Sequence, residues 1–267
     1  MFSRHRVLKL LSPELLLLAV VLMLSASFAP TAQAMARPSP RLSLGGETQR
    51  LNHSGTALNV RQRLTADLVQ IGLALHNYHD VHGNFPPAYV ADANGRPLFS
   101  WRVLLLPYLG QQALFDQFDT SKPWYDRANL AVLQHMPEVF RGPLASRRSI
   151  FTHYAGVAGP GTFFDCVQAR TDGTACAGTR LAAIADGTSN TVAVGEVAQA
   201  LIPWTMPEDV DIRHHPTLGR RGGFSGVLKD GVPFIFADGS VQFFPTSTPA
   251  DLLHAFFTIN GGEVGLR

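Results

Sequence analysis

The spacing of apolar positions changes twice along the chain. From Ala57 it is helical: Leu64, Leu68, Ile71, Leu75 and Tyr78 recur at alternating steps of four and three, which puts them on one face of a helix. Gly83-Asn84 and then Pro86-Pro87 stop that helix, because proline supplies no amide donor and clashes with the preceding turn. Past a loop around Asn94-Gly95, the run "FSWRVLLLPYLGQQALFDQF" predicts a second, shorter apolar helix, broken at Pro107 and resumed from Leu109 to Phe118. Asn129 to Gln134 predicts one more short helix.

After "SIFTHYAGVAGPGTFF" the spacing shortens and turn signals crowd in at Asp172-Gly173, Asp186-Gly187, Gly222-Gly223, Asp230-Gly231 and Asp238-Gly239. Between them "TVAVGEV", "GGFSGVL", "VPFIFA" and "SVQFFP" are short, β-branched or aromatic, and they predict an antiparallel meander. Thr248 as N-cap and Pro249 at the first helical position predict a last helix, Ala250 to Phe257, ended by Asn260-Gly261-Gly262. Helices set apart from antiparallel strands make the expected class α+β.

The residues before Ala57 carry other signals. Arg4, Arg6 and Lys9 precede an apolar run from Leu15 to about Phe28, and small residues Ala32 and Ala34 offer a cleavage point before Met35. Residues 1–34 therefore read as a secretory signal peptide, too short in its apolar part for the roughly 20 residues that span hydrocarbon. If retained, the segment is an anchor and the protein is held at the membrane. Residues 35–56 are rich in Pro, Ser and Gly without a period and read as a flexible linker, leaving residues 57–267 as the folded domain. The expected location is exported: periplasmic, cell-surface or secreted.

Composition narrows the function. With 46% hydrophobic residues, 16% charged, 24 glycines and 18 prolines in 267 residues, the chain carries one core, or at most two, with many turns, and is neither a coiled coil nor disordered. The formal charge is +2; losing residues 1–34 removes Arg4, Arg6, Lys9 and Glu14 and leaves none, so no basic face argues for nucleic acid. Cys166 and Cys176 are the only cysteines, and in an oxidising compartment a pair closing so short a loop is most simply a disulfide, stabilising by about 2–3 kcal/mol through loop closure.

The segments "LVQIGLALHNYHDVHGNFPPAY", "SWRVLLLPYLGQQALFDQFD", "ADGTSNTVAVGEV", "PWTMPEDV", "FADGSVQFF" and "INGGEVGL", in that order from about Leu64 to Leu266, resemble the bacterial domain-of-unknown-function 1559 family, which also carries a solute-binding label and the description PulG-like putative transporter. The resemblance implies a pseudopilin-like architecture, a long N-terminal helix laid on an antiparallel sheet with irregular insertions, in an exported protein without established enzymatic activity. Many members begin with a prepilin segment; here Ser12 and Pro13 precede Glu14 and no Gly-Phe-Thr occurs. The histidine that the family often carries ten positions before the terminal Asp-Gly is Leu228 in this chain.

Four groups of residues carry candidate chemistry. His76, His79 and His82, with Asp80, stand near a helix end, either as transition-metal ligands or as polar residues that suit the helix C-terminus. Asp186, Thr188 and Asn190, with Glu196 or Asp238 from neighbouring strands, supply oxygen ligands for calcium, an ion that the pseudopilin resemblance also implies. An Asx turn alone also accounts for that motif. Trp204, Glu208 and Asp209 read either as an exposed loop for carbohydrate or peptide contact or as a buried tryptophan pinning the loop. "GGFSGV" places Ser225 one position off the nucleophile-elbow pattern, and zinc-protease, phosphate-loop and dinucleotide motifs do not occur.

The expected function is a non-enzymatic, exported pseudopilin-like protein of envelope organisation, secretion or surface contact, with envelope or secretion-system proteins as partners. The alternative is a periplasmic solute-binding protein with a small solute as partner.

Overall fold

The computed structural model describes residues 46–166 and 176–261, with side chains from Ala57 onward. The chain divides into residues 1–49 and 50–267, and the first unit lies outside the described residues except for the opening turn of a helix. The signal-peptide segment, the Asp172-Gly173 turn and Gly262 also lie outside them.

Helix α1 runs Gly46–His82. The residues expected as linker therefore turn helical at Gly46, eighteen positions before Leu64 opens the apolar stripe, because no proline after Pro40 interrupts the backbone. Leu64, Leu68 and Ile71 are wholly buried and Leu75 nearly so; each such side chain withdrawn from water stabilises the fold by roughly 1.5–3 kcal/mol. Gly83 ends the helix at φ 75°, its amide donating to the His79 carbonyl at 2.7 Å, a left-handed conformation that glycine adopts without a Cβ clash.

The stretch expected as a loop around Asn94-Gly95 is instead a hairpin of β1 (Tyr89–Ala91) and β2 (Pro97–Ser100), paired antiparallel with Tyr89 opposite Ser100. The Asp92 carboxylate accepts from the amides of Asn94 and Arg96, both at 2.9 Å, and closes the turn. Phe99 and Ser100 thus belong to a strand, and the helix expected to begin there starts only at α2 (Trp101–Leu104). It then breaks into a 3-10 turn, Pro107–Leu109, and α3 (Gln112–Phe115), because Pro107 lacks a donor and Gly110 turns left-handed. α4 (Leu130–Leu133) follows within the span expected for it.

Five strands form the main sheet in the order β5-β3-β4-β6-β7, from β3 (Tyr154–Ala158), β4 (Val192–Glu196), β5 (Val210–Asp211), β6 (Val232–Phe236) and β7 (Val241–Phe244). Its core is antiparallel as expected; β5 pairs with β3 in parallel. Only β6 and β7 are joined by a tight turn, Asp238-Gly239, so the sheet is not a simple meander. "GGFSGVL" forms no strand and touches the end of β4 through a single bridge, Val197 to Ser225. Between β3 and β4 the chain makes a long excursion that Cys166 and Cys176 staple, their Cα atoms 5.2 Å apart. The closing helix α5 spans Ala250–Phe257 with Pro249, not Thr248, in the cap position; the Thr248 hydroxyl donates to the Pro245 carbonyl instead.

The sheet has one face toward α1 and one toward α5. Toward α1 point Tyr154, Glu196, Ile235 and Phe243: the Tyr154 hydroxyl donates to Asp67 at 3.3 Å, a Cβ on Gly72 would stand 3.4 Å from Ile235, and the Arg61 guanidinium lies 4.0 Å from the Phe243 ring centre. On the other face Val157, Val192, Phe234, Phe236 and Phe244 pack with Phe224, Leu253 and Phe257.

Candidate functional site

A cleft of 590 Å³ opens where β5 meets the β1 hairpin. Its back wall rests on Arg102, the second residue of α2 and fully buried. The guanidinium donates from Nε to the Tyr154 carbonyl at 3.0 Å, from Nη1 to Ser100 Oγ at 2.7 Å and from Nη2 to Asp209 Oδ1 at 2.7 Å. Burial pulls Arg102 below its ordinary value, and the Asp209 charge acts against that pull. Asp209 is in turn held from several sides: besides Arg102, its Oδ1 accepts from the Gly156 amide at 2.7 Å, and both oxygens share the Trp101 indole N–H at 3.1 Å. This buried, hydrogen-bonded ion pair ties together β2, β3 and the loop before β5.

The front of the cleft is lined by Asp211, Arg213, His214, His215 and Gly222 on one side, and by Tyr89, Phe164, Met206 and Pro207 among others. Arg213 clamps Asp211 through Nε at 3.0 Å and Nη2 at 2.6 Å, which holds the Asp211 carboxyl below the usual carboxylate range. Phe164 is itself fixed by stacking on Trp101, ring centres 5.2 Å apart.

The structure distributes the sequence-predicted residues differently from the expectation. Trp204 is not a surface ring: it is wholly buried, stacks on Phe140 with ring centres 6.1 Å apart and donates its indole N–H to the Leu133 carbonyl at 3.0 Å. The prolines and acids around it mark a loop, yet a tryptophan with one good acceptor belongs inside. Glu208 is exposed and lines the cleft, while Asp209 is the buried partner of Arg102.

Of the five calcium candidates, four lie together and Glu196 stands apart. Thr188 and Asp238 meet, the Asp238 amide donating to the Thr188 carbonyl at 3.2 Å, and Asn190 donates to the Asp186 carbonyl. The Asp186 carboxylate accepts from Gly261 and that of Asp238 from Ser240. Glu196 stands at the far end of β4, wholly buried, one oxygen accepting from the Val227 amide at 3.1 Å. Burial lifts its pKa to about 8, which suits a neutral acid rather than a cation ligand. Among the described residues no three of His, Cys, Asp and Glu are grouped to hold a metal ion.

The histidines at the end of α1 serve as packing. His76 and His79 sit against Phe85, and His82 stacks on Tyr78 and meets the Tyr108 hydroxyl at 3.0 Å. Ser225 is buried, its hydroxyl accepting from the Gln199 amide, so it faces no substrate path.

Sequence reasoning passed over Arg102, Tyr89 and Arg213. The signal for the last was there: between Asp211 and Asp230 the chain carries Arg213, Arg220, Arg221 and Lys229 and no acid.

Among known proteins, the family described as "Protein of unknown function (DUF1559)", labelled SBP_bac_10, matches residues 65–216, which include most of the buried part of α1 and the cleft wall as far as His215. No curated protein and no solved structure matches the chain. The chain belongs to the 1559 family.

Proposed function

We propose that this member of the 1559 family is an exported, non-enzymatic domain of pseudopilin-like build that works by surface contact in envelope organisation or secretion. The observation that carries this reading is the seating of α1 on one face of a largely antiparallel sheet through Leu64, Leu68, Ile71 and Gly72. A helix so placed keeps its other face for contact, and on α1 that face is uncharged over Leu58, Gln62, Ala66, Val69 and Leu73.

Two further features support export. The Cys166–Cys176 pair belongs to an oxidising compartment. Among the described residues no helix is long and apolar enough to cross a membrane, which leaves the segment before the linker as the candidate for targeting or anchoring.

The test is the intact mass of the protein from native cell fractions, with and without reductant. A mass starting at Met35 in the soluble extracytoplasmic fraction, two daltons lighter before reduction, is the expected result for a released contact domain. Recovery from the cytoplasm with free thiols overturns the reading.

A further inference from the structure

Of the three carboxylates that line the cleft, Glu208 is exposed, whereas Asp209 and Asp211 are paired with their own neighbours. Asp209 accepts from Arg102, Trp101 and Gly156, and Asp211 from both Nε and Nη2 of Arg213 and from the Arg213 amide at 2.9 Å. A guest cation meets no open carboxylate in either of them.

The cationic side of the cleft is different. Arg213 uses Nε and Nη2 on Asp211, feels the Asp165 charge as well, and keeps its side chain 52% exposed. His214 stands beside it, its Nδ1 3.7 Å from Asp211 Oδ2 and its side chain 73% exposed. His215 packs against the glycines of the next turn: a Cβ on Gly222, which has φ 84°, would lie 3.2 Å from its Cε1 and one on Gly223 3.0 Å from its Cβ, so a side chain at either position would press on the imidazole. Arg220 and Arg221 on the same acid-free segment are exposed and add to the positive field on this side.

The remaining wall is mixed: Met206 and the edges of the largely buried Tyr89 and Phe164 are apolar, and Glu208 adds an exposed carboxylate. The 590 Å³ volume falls within the roughly 300–1,000 Å³ of small-molecule sites. We infer that this cleft binds a small organic anion, its phosphate or carboxylate group held by Arg213, His214 and His215 and its body against Tyr89, Phe164 and Met206. A guanidinium already oriented by Asp211 loses little freedom when it takes up a second acceptor, and arginine's planar fork matches both anionic groups. The site does not depend on how the protein is anchored or exported, so its failure and that of the contact reading are separate results.

The experiment titrates the full chain at low salt with glucose 6-phosphate, glucuronate, neutral glucose and inorganic phosphate, reading heat of binding. Glucose 6-phosphate or glucuronate binds, glucose gives no signal, and inorganic phosphate binds at least tenfold more weakly than the sugar anion. Arg213→Gln and, separately, the exposed His214→Gln each weaken the sugar anion tenfold or more, with unfolding curves that match the parent protein. Absence of binding by both sugar anions, equal binding of glucose, or undiminished affinity in both variants overturns the site. Phosphate binding as tightly as glucose 6-phosphate overturns the assignment of the apolar part of the wall.

Discussion

The two faces of the five-stranded sheet are covered by helices but held by different chemistry. Toward α5 the contact is aromatic: Phe234 meets Phe224, Phe244 and Phe257 with ring centres 5.0, 5.5 and 5.7 Å apart, and Phe236 and Phe244 add Phe256. Toward α1 a polar seam runs through the packing. Arg63 pairs with Asp67, Asp67 accepts from Tyr154, and Tyr154 stands directly across the strand pair from Glu196. One face is stabilised by area removed from water, nearly independent of pH; the other contains carboxyls whose protons follow folding. A short helix that offers Leu253, Phe256 and Phe257 thus suffices on the first face, whereas the long α1 combines its apolar stripe with a seam that sets its register.

Removing an aromatic from the first face has the largest expected effect. Phe234→Ala leaves a cavity among three rings and lowers the unfolding free energy by about 3–5 kcal/mol, read from urea denaturation. A loss below about 1 kcal/mol would show that the cluster repacks and does not carry that face.

Glu196→Gln tests the other face through pH. The Glu196 carboxyl is lifted from 4.5 to about 8 and that of Asp67 from 3.8 to about 6, burial being the first cause in each. The folded protein therefore holds these protons more tightly than the unfolded chain. Their contribution is fully present below the unfolded values and is lost as pH rises through the folded ones. Between pH 4.5 and pH 8 the Glu196 part amounts to a fall on the order of 3–4 kcal/mol, which Glu196→Gln abolishes while the smaller Asp67 slope below about pH 6 stays. Stability curves of equal slope in the two proteins would remove Glu196 from the seam's account.

The sequence disclosed these faces unevenly. The apolar stripe of α1 and the bounds of α5 were legible, because a period of 3.6 and a proline-to-glycine frame are local signals. The β1 hairpin was missed although Asn94-Gly95 lies in its turn: the flanking strands are three and four residues long, too short to show alternation. The Arg102–Asp209 pair joins positions 107 apart, and no local pattern encodes such a contact. Glu196 falls outside the calcium set by distance along a strand. Asp186 sits in the turn before β4 and Glu196 ends the strand, and at about 3.3 Å per residue the strand carries Glu196 away from that turn. The cationic segment from Arg213 to Lys229 was legible as charge, but only the fold turns it toward a cleft.

A smaller effect separates the faces at a single strand position. Gly195 points toward the aromatic cluster, where a Cβ would run into the Phe234 ring and stand 2.8 Å from Phe224. Gly195→Ala overpacks that face and costs about 1–3 kcal/mol. Gly72 is the matching glycine of the α1 face, and its Cβ would meet Ile235 and the Gly239 backbone at 3.4 and 3.5 Å, ordinary contact distances. Gly72→Ala is accordingly neutral or stabilising, since alanine is the better helix former by about 1 kcal/mol. Equal losses for the two variants, measured in the same denaturant series, would contradict the difference in packing between the faces.

The smallest effect belongs to Arg61, at the edge of the polar seam. Its guanidinium lies over Phe243 and pairs with the exposed Asp230. An exposed cation over a ring contributes about 0.5–1 kcal/mol, and a surface pair about 0.2–1 kcal/mol, part of which is lost to side-chain ordering and salt. Arg61→Ala is therefore expected to cost no more than about 1 kcal/mol, and a double-mutant cycle with Asp230→Ala to leave a coupling of a few tenths that vanishes in high salt. A salt-independent loss above about 2 kcal/mol would mean that α1 is seated by its cations and not by Leu64, Leu68 and Ile71. The smallest substitution thus discriminates most sharply, because it asks whether the polar seam holds the helix down or only sets where along the sheet it lies.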